Sequence, residues 1–271
     1  MSIRQKIPMN PFMDSFKAVF SFYFFLGRRI KRTKVFYLIS LFPALIALID
    51  ILEKVISGRT YHEGAYIFSN IIMVFYLQFL ILILSLFFGT SVCSEELEGK
   101  TLTYLTTRPI PKSAIILGKY AAYTLLAVIM TAAGVILSFL ILNLDSLRDV
   151  SLYGVLLRDL SVLTLGLVSY TAFFTLIGTF FKRAIIFGLV FSFGWENVIQ
   201  YFPGSTQRLA IVHYLKSLLP TSSSPVKLTA LLFRLEPTPP WTAVLVLFVI
   251  TAVFLALACL FFSQKEYIFE E

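Results

Sequence analysis

Gly99-Lys100-Thr101 has the ending of a phosphate-binding loop. Such a loop needs G-x-x-x-x-G-K-[ST] behind a β-strand, so that backbone amides cradle phosphate and the lysine reaches it. Position 94 is serine and the preceding segment is a long apolar run, so the pattern fails. Gly118-Lys119 fails too, with Ser113 in the place of the first glycine. The chain is therefore expected to hydrolyse no ATP by itself. His62 and His213 are the only histidines and Cys93 and Cys259 the only cysteines, each pair far apart. No metal set is readable from them, and the cysteines read as small core residues. The remaining polar residues that stand in a definite order are those of residues 93–119, CSEELEGKTLTYLTTRPIPKSAIILGK.

That segment lies between two very apolar runs, residues 71–92 and 114–142. The incoming helix is expected to continue through Glu95, Glu96 and Glu98, with Gly99 supplying the left-handed residue that ends it. Three carboxylates at the negative end of a helix dipole are mildly unfavourable, so helix stability does not account for them. Thr101 can cap a short new helix over residues 102–107, with Leu102 and Leu105 on one face. Arg108-Pro109 ends it, because a residue before proline is pushed out of the helical region. Ser113 is the expected cap of the next long helix. The result is helix, turn, short transverse helix, turn, helix. An ordinary charged turn between two spans is the plain alternative.

From Glu95 to Lys119 the order of residues resembles the cytoplasmic loop of ABC-2 type transporter permeases. In that family the loop joins spans two and three and carries a coupling helix that docks on an ATPase subunit. The resemblance implies that docking role for residues 101–107, with Glu95, Glu98 and Gly99 on the family's acidic-glycine signature. Pro109, Gly118 and Lys119 fall on its following positions. Glu95, Glu96, Glu98, Gly99, Thr101, Leu102, Tyr104, Leu105, Thr106, Arg108 and Pro109 are thus the expected ATPase-coupling residues.

Composition sets the class independently. Of 271 residues 58% are hydrophobic and 14% charged, with a mean hydropathy of +0.85; a soluble domain is near a quarter charged. Several apolar stretches reach the ~20 residues that cross about 30 Å of hydrocarbon. The expected fold is an all-α polytopic membrane protein with six transmembrane helices, over residues 35–52, 70–93, 114–142, 155–181, 184–200 and 241–262. Residues 1–34 form a cytoplasmic N-terminus without a signal peptide, and residues 263–271 a cytoplasmic tail. Asn10-Pro11 starts a helix whose Phe12, Phe16, Val19, Phe20 and Tyr23 share one face, which suggests an interfacial amphipathic helix. The start of a longer first span is the alternative. Arg28, Arg29, Lys31, Arg32 and Lys34 mark the cytoplasmic side, and with both termini inside every basic cluster on a short loop falls there. The +8 net charge is accordingly a topological signal and not one of nucleic-acid binding.

Polar residues inside spans are few. Gln78 is expected to hydrogen-bond within the bundle or, less simply, to meet substrate. Lys119 is one turn into span three, where a lysine can snorkel to the interface. Arg158 and Asp159 can pair with each other or with neighbours at the interface. Glu196 and Asn197 interrupt span five, where a carboxylate must face protein or water. They mark either the outer end of a path or a capped helix end in a wet cavity, the latter being preferred. Leu209, Val212, Leu215, Leu218 and Leu219 can share a helical face opposite Arg208, Lys216 and Ser217, giving short external helices between spans five and six.

The resemblance implies the membrane subunit of an exporter in the prokaryotic plasma (inner) membrane, without catalytic residues. Six spans are half of the usual twelve, so a second copy or a related permease is expected, together with two ATPase subunits that hold the ATP and magnesium. This chain would bind no cofactor and no nucleic acid. An alternative within the same architecture is a mechanical transmitter driving an extracytoplasmic accessory protein, for instance one maturing a metalloenzyme. A stand-alone secondary carrier or channel is the alternative from another class; it wants carboxylates in mid-span, and those are missing apart from Glu196.

Overall fold

The computed structural model describes residues 11–57, 64–98, 111–144, 148–181, 183–199, 202, 204–219 and 238–264. Among these residues every regular element is helical. Helix α1 (Pro11–Arg29) opens on a proline whose fixed φ suits a first turn. The chain bends at Ile30 and continues as α2 (Lys31–Ser57), which carries Pro43 in its interior. The two are separate helices and not one extended span. Next come α3 (Gly64–Asn70), a π-helical stretch (Ile71–Leu80) and α4 (Ile81–Glu98), which follow one another without a break. Helix α5 (Lys112–Leu142) starts after Pro111, so Ser113 lies inside its first turn and is not the cap that its position suggested. Proline needs no hydroxyl to do this, since its ring sets φ and no amide hydrogen is lost at a helix start.

Helix α6 (Val150–Phe180) begins before the expected residue 155, because Asp149 caps it: the Asp149 carboxylate accepts the Ser151 amide at 3.0 Å. The hydrogen bonds from Ser151 hold the exposed Asp149 carboxyl below its ordinary value. Then follow α7 (Ala184–Val190), a second π-helical stretch (Phe191–Glu196) and one further turn (Asn197–Ile199). A 3-10 helix (Gly204–Leu209), α8 (Ile211–Leu218) and α9 (Pro240–Gln264) complete the described chain.

Among the described residues five helical stretches are long and apolar enough to cross a membrane: Lys31–Glu53, Ile67–Cys93, Lys112–Leu142, Val150–Phe180 and Pro240–Gln264. They coincide with the expected spans one, two, three, four and six. The expected span five corresponds to the shorter apolar helix Ala184–Ile199. At 1.5 Å per residue that helix is about 24 Å long, short of the roughly 30 Å hydrocarbon layer.

The core is centred on α4 and α6, which pack more extensively on each other than any other two helices, while α2 and α9 leave most of their apolar surface outward. Lipid tails are as apolar as leucine, so helices associate in a membrane through close packing and internal hydrogen bonds. Small residues provide both. Gly89 abuts the Thr171 carbonyl and the Phe174 Cβ, and Gly178 abuts the backbone of Thr90. Thr171 donates to Ser85 across the same contact at 3.3 Å, and Thr251 of α9 donates to Ser169 of α6 at 3.1 Å.

Helix α1 is held along α5. Phe16 and Val19 meet Gly118, Tyr23 meets Lys119 and Tyr123, and Gly27 meets Tyr123 and Leu126. The contacts climb both helices in the same sense, so the two run alongside in parallel. The face that sequence periodicity assigned to the interface is therefore packed largely on protein, and the exposed large apolar residues of α1 are Met13, Phe22, Phe25 and Leu26. Lys119 does not snorkel to the surface. It is fully buried, with its ammonium 4.5 Å from the centre of the Tyr23 ring, where the ring quadrupole attracts it.

Candidate functional site

Two places bring together the residues that the sequence singled out. The first is the connection between α4 and α5. Helix α4 runs to Glu98, so Glu95, Glu96 and Glu98 fall in its last turns as their spacing implied. Gly99, Thr101, Leu102, Tyr104, Leu105, Thr106, Arg108 and Pro109 lie outside the described residues. Both helices entering this segment are firmly seated. Near its end α4 touches α6, where a Cβ on Gly178 would stand 3.0 Å from the Thr90 carbonyl and 3.6 Å from the Cys93 Cβ. At the start of α5, Lys112 Nζ donates to the Ser263 carbonyl near the end of α9 at 3.2 Å. Phe36 stacks obliquely on Phe87 and Phe88, and Phe88 on Tyr123, tying α2, α4 and α5 together close by. Cys93 is buried and Cys259 half-buried, and neither is in a disulfide.

The second place is the end of the short fifth span. Glu196 closes the π-helical stretch Phe191–Glu196 and is buried, at 1% exposure. Its two oxygens accept the backbone amides of Ile211 at 3.1 Å and Val212 at 3.4 Å. These are first-turn amides of α8, which no partner within that helix can satisfy. Ala210 before them is extended and offers no side-chain cap, so Glu196, from another helix, does the capping. The positive end of the α8 dipole then faces a carboxylate, the favourable sense. The fully buried Tyr170 hydroxyl of α6 stands beside the same carboxylate, and Lys216 of α8 adds positive charge towards it.

Glu196 thus caps a neighbouring helix and not the end of its own, with almost no exposure to solvent. Asn197 goes a different way, its amide donating to the Ser192 carbonyl at 3.0 Å inside its own turn. Gln78 is half-buried on the π-helical stretch of the second span, which also packs against α8. Arg158 and Asp159 pair at 3.3 Å, with Asp159 buried and Arg158 partly exposed. Leu209 falls outside the apolar face drawn for the external helix: it is exposed in the preceding 3-10 turn, and the buried residues of α8 are Ile211, Val212, His213 and Leu215. Ser217 is not on a free polar face either, because it donates to His213 and accepts the Thr238 amide. His213 Nε2 lies 2.9 Å from Thr238 Oγ1, which fixes α8 against the start of α9.

A third polar contact had no sequence signal. Ser40 of α2 donates to the Met130 carbonyl of α5 at 2.7 Å, and Tyr76 donates to the Ser40 carbonyl at 3.1 Å. Gly134 makes room, for a Cβ there would run into the Ser40 carbonyl. Among the described residues no three His, Cys, Asp or Glu side chains are grouped to hold a metal ion.

The long apolar helices, and the absence of any strand among the described residues, agree with what comparison finds. A family model described as ABC-2 family transporter protein matches residues 28–195, more than half of the chain. The chain belongs to that family, and it is an integral membrane protein. A search of curated proteins finds no match. Permeases of this family work with ATPase subunits.

Proposed function

We propose that this chain is the non-catalytic membrane subunit through which separate ATPase subunits drive transport, in the direction of export. The observation that carries the reading is the connection between α4 and α5. It is short and charged and joins two helices with different main partners, α6 for α4 and α1 with α2 for α5. A push on such a connection acts on two parts of the bundle at once. Residues 101–107 dock on the ATPase; Leu102 and Leu105 enter its groove, and Glu95, Glu96, Glu98 and Arg108 surround the contact. Gly99 and Pro109 set the two turns. The working unit is a pair of permease chains with two ATPases, in a prokaryotic plasma membrane with the termini cytoplasmic. The transmitter reading would use the segment between spans five and six as a partner surface, and it is less favoured because α8 in that segment is buried against α6 and α9.

The test is purification in mild detergent from the native host, with assay of ATPase activity. A roughly equimolar ATPase subunit is expected. Leu102→Glu with Leu105→Glu should leave insertion intact and abolish stimulation of that ATPase by the permease, since a charge pair in an apolar groove is strongly disfavoured. A chain that purifies alone would refute the coupling role and turn attention to a carrier, tested by flux. Normal stimulation in the double variant would place the coupling elsewhere.

A further inference from the structure

The fifth span stops short of a full crossing. From Ala184 to Ile199 an α-helical rise gives about 24 Å, against roughly 30 Å of hydrocarbon. The 3-10 helix and α8 follow, and α8 packs back on the bundle, with Leu215 and Ile81 of α4 both against Gly166 of α6. A helix of eight residues is too short to be stable through its own hydrogen bonds and depends on tertiary contacts. Its C-terminal part is fixed to the start of α9 through His213, Ser217 and Thr238. Its N-terminal part has a polar attachment of another kind, the Glu196 carboxylate on the Ile211 and Val212 amides. Glu196 is 1% exposed and Tyr170 beside it fully buried, so water does not take over either amide.

We propose that Glu196 is a positioning residue that latches the re-entrant helix α8 to span five and α6, closing the outer end of the bundle. With the latch made, α8 moves with span five. With it broken, α8 remains attached to α9 alone and lifts from α6, uncovering Gly166 and Leu215. The inference rests on the permease reading only for its place in transport; the latch itself is a property of this chain.

The test uses the full chain in lipid nanodiscs, where both faces are accessible and no ATPase is needed. Hydrogen–deuterium exchange is followed in the peptides covering residues 204–218. Glu196→Ala is expected to raise exchange there at least about tenfold, through the loss of two buried hydrogen bonds to backbone amides. Peptides of α4 and α9 should stay as in the parent. Glu196→Gln keeps the length and one acceptor but turns a donor towards an amide, and should give an intermediate rate. As a second readout, Leu215→Cys in a Cys93→Ala, Cys259→Ala background should react slowly with a thiol reagent, and at least tenfold faster when Glu196→Ala is added. Unchanged exchange in a folded Glu196→Ala chain overturns the latch, as does Glu196→Gln behaving like the parent. A rise spread over all helices also overturns it, since Glu196 would then be a general core residue. Failure to find an ATPase partner would sink the transport reading and leave these exchange rates as they are.

Discussion

Gly89→Ala is the sharpest test of how the core helices are held. A Cβ at this position would stand 2.7 Å from the Phe174 Cβ, 2.9 Å from the Thr171 carbonyl and 3.2 Å from the Thr175 amide. None of these is the end of a flexible side chain, so the substitution cannot be absorbed by a rotamer change. Carbon atoms are comfortable at about 3.5 Å or more, so α4 and α6 must separate by about 0.8 Å. Overpacking of this kind costs roughly 1–3 kcal/mol. The Thr171 to Ser85 hydrogen bond is already long, at 3.3 Å, and lies one turn away. Its loss adds about 1 kcal/mol. Alanine returns up to ~1 kcal/mol through helix propensity, leaving a net loss of about 1–3 kcal/mol. Gly154 is the internal control, because it too is in a helix, α6, but a Cβ there meets nothing within 4 Å. Gly154→Ala should be neutral or stabilise by up to ~1 kcal/mol. Thermal melts of the two variants in one detergent should move in opposite directions from the parent, or Gly89→Ala alone should fall by several degrees. If Gly89→Ala melted at or above Gly154→Ala, α4 and α6 would not be in the tight contact described.

Two further outcomes are expected. Tyr76→Phe removes the donor to the Ser40 carbonyl, and should cost about 1 kcal/mol in melts while leaving the α4–α6 contact unchanged, as judged by a disulfide-trapping pair placed there. Asp149→Ala removes the cap of α6, and amide exchange in residues 150–153 should rise. In the parent the same exchange should rise on acidification. The carboxyl is held below its ordinary value by the Ser151 hydrogen bonds, so its contribution is complete above the ordinary carboxylate range and is lost as pH falls through the lowered value. Exchange that stayed flat with pH, after correction for the intrinsic rate, would mean that the cap is not formed.

Much of the fold was legible because membrane spans are the strongest signal a sequence carries. Backbone polar groups must be satisfied internally in lipid, so length and apolar character alone place the helices. Five spans follow from that, and the family from the order of residues between Glu95 and Lys119. Local capping was less legible, since the start of α5 was assigned to Ser113 when Pro111 sufficed, and Asp149 was passed over as part of a loop. The least legible features were contacts between helices far apart in sequence. Nothing near Lys119 in the chain announces that Tyr23 will cover it, and nothing near Ser40 points to Met130 or Tyr76. Glu196 was visible as an anomaly in an apolar run, but the amides it serves belong to residues without any polar side chain, Ile211 and Val212. Backbone donors leave no mark on sequence.

The arrangement of these contacts bears on how an external force would travel. Helix α4 is pressed on α6 through Gly89 and Gly178, and α6 in turn receives Leu215 of α8 at Gly166. Helix α5 is bound chiefly to α1, through Gly118 and Lys119, and to α2, through Gly134 and Met130, with lesser contacts to α4 and α6. A displacement entering between α4 and α5 in the proposed reading would therefore divide. One part would pass through α6 towards Glu196 and α8, and the other through α1 and α2. Packed interfaces of this kind switch between discrete arrangements more readily than they deform. The consequence is an ordering of effects: substitutions at Gly89 should disturb the coupling of the ATPase to the Glu196 end of the bundle, whereas those at Gly118 should disturb α1 and leave α8 exchange unchanged. Equal effects of both on α8 would mean that α4 and α5 move as one body and that the division does not exist.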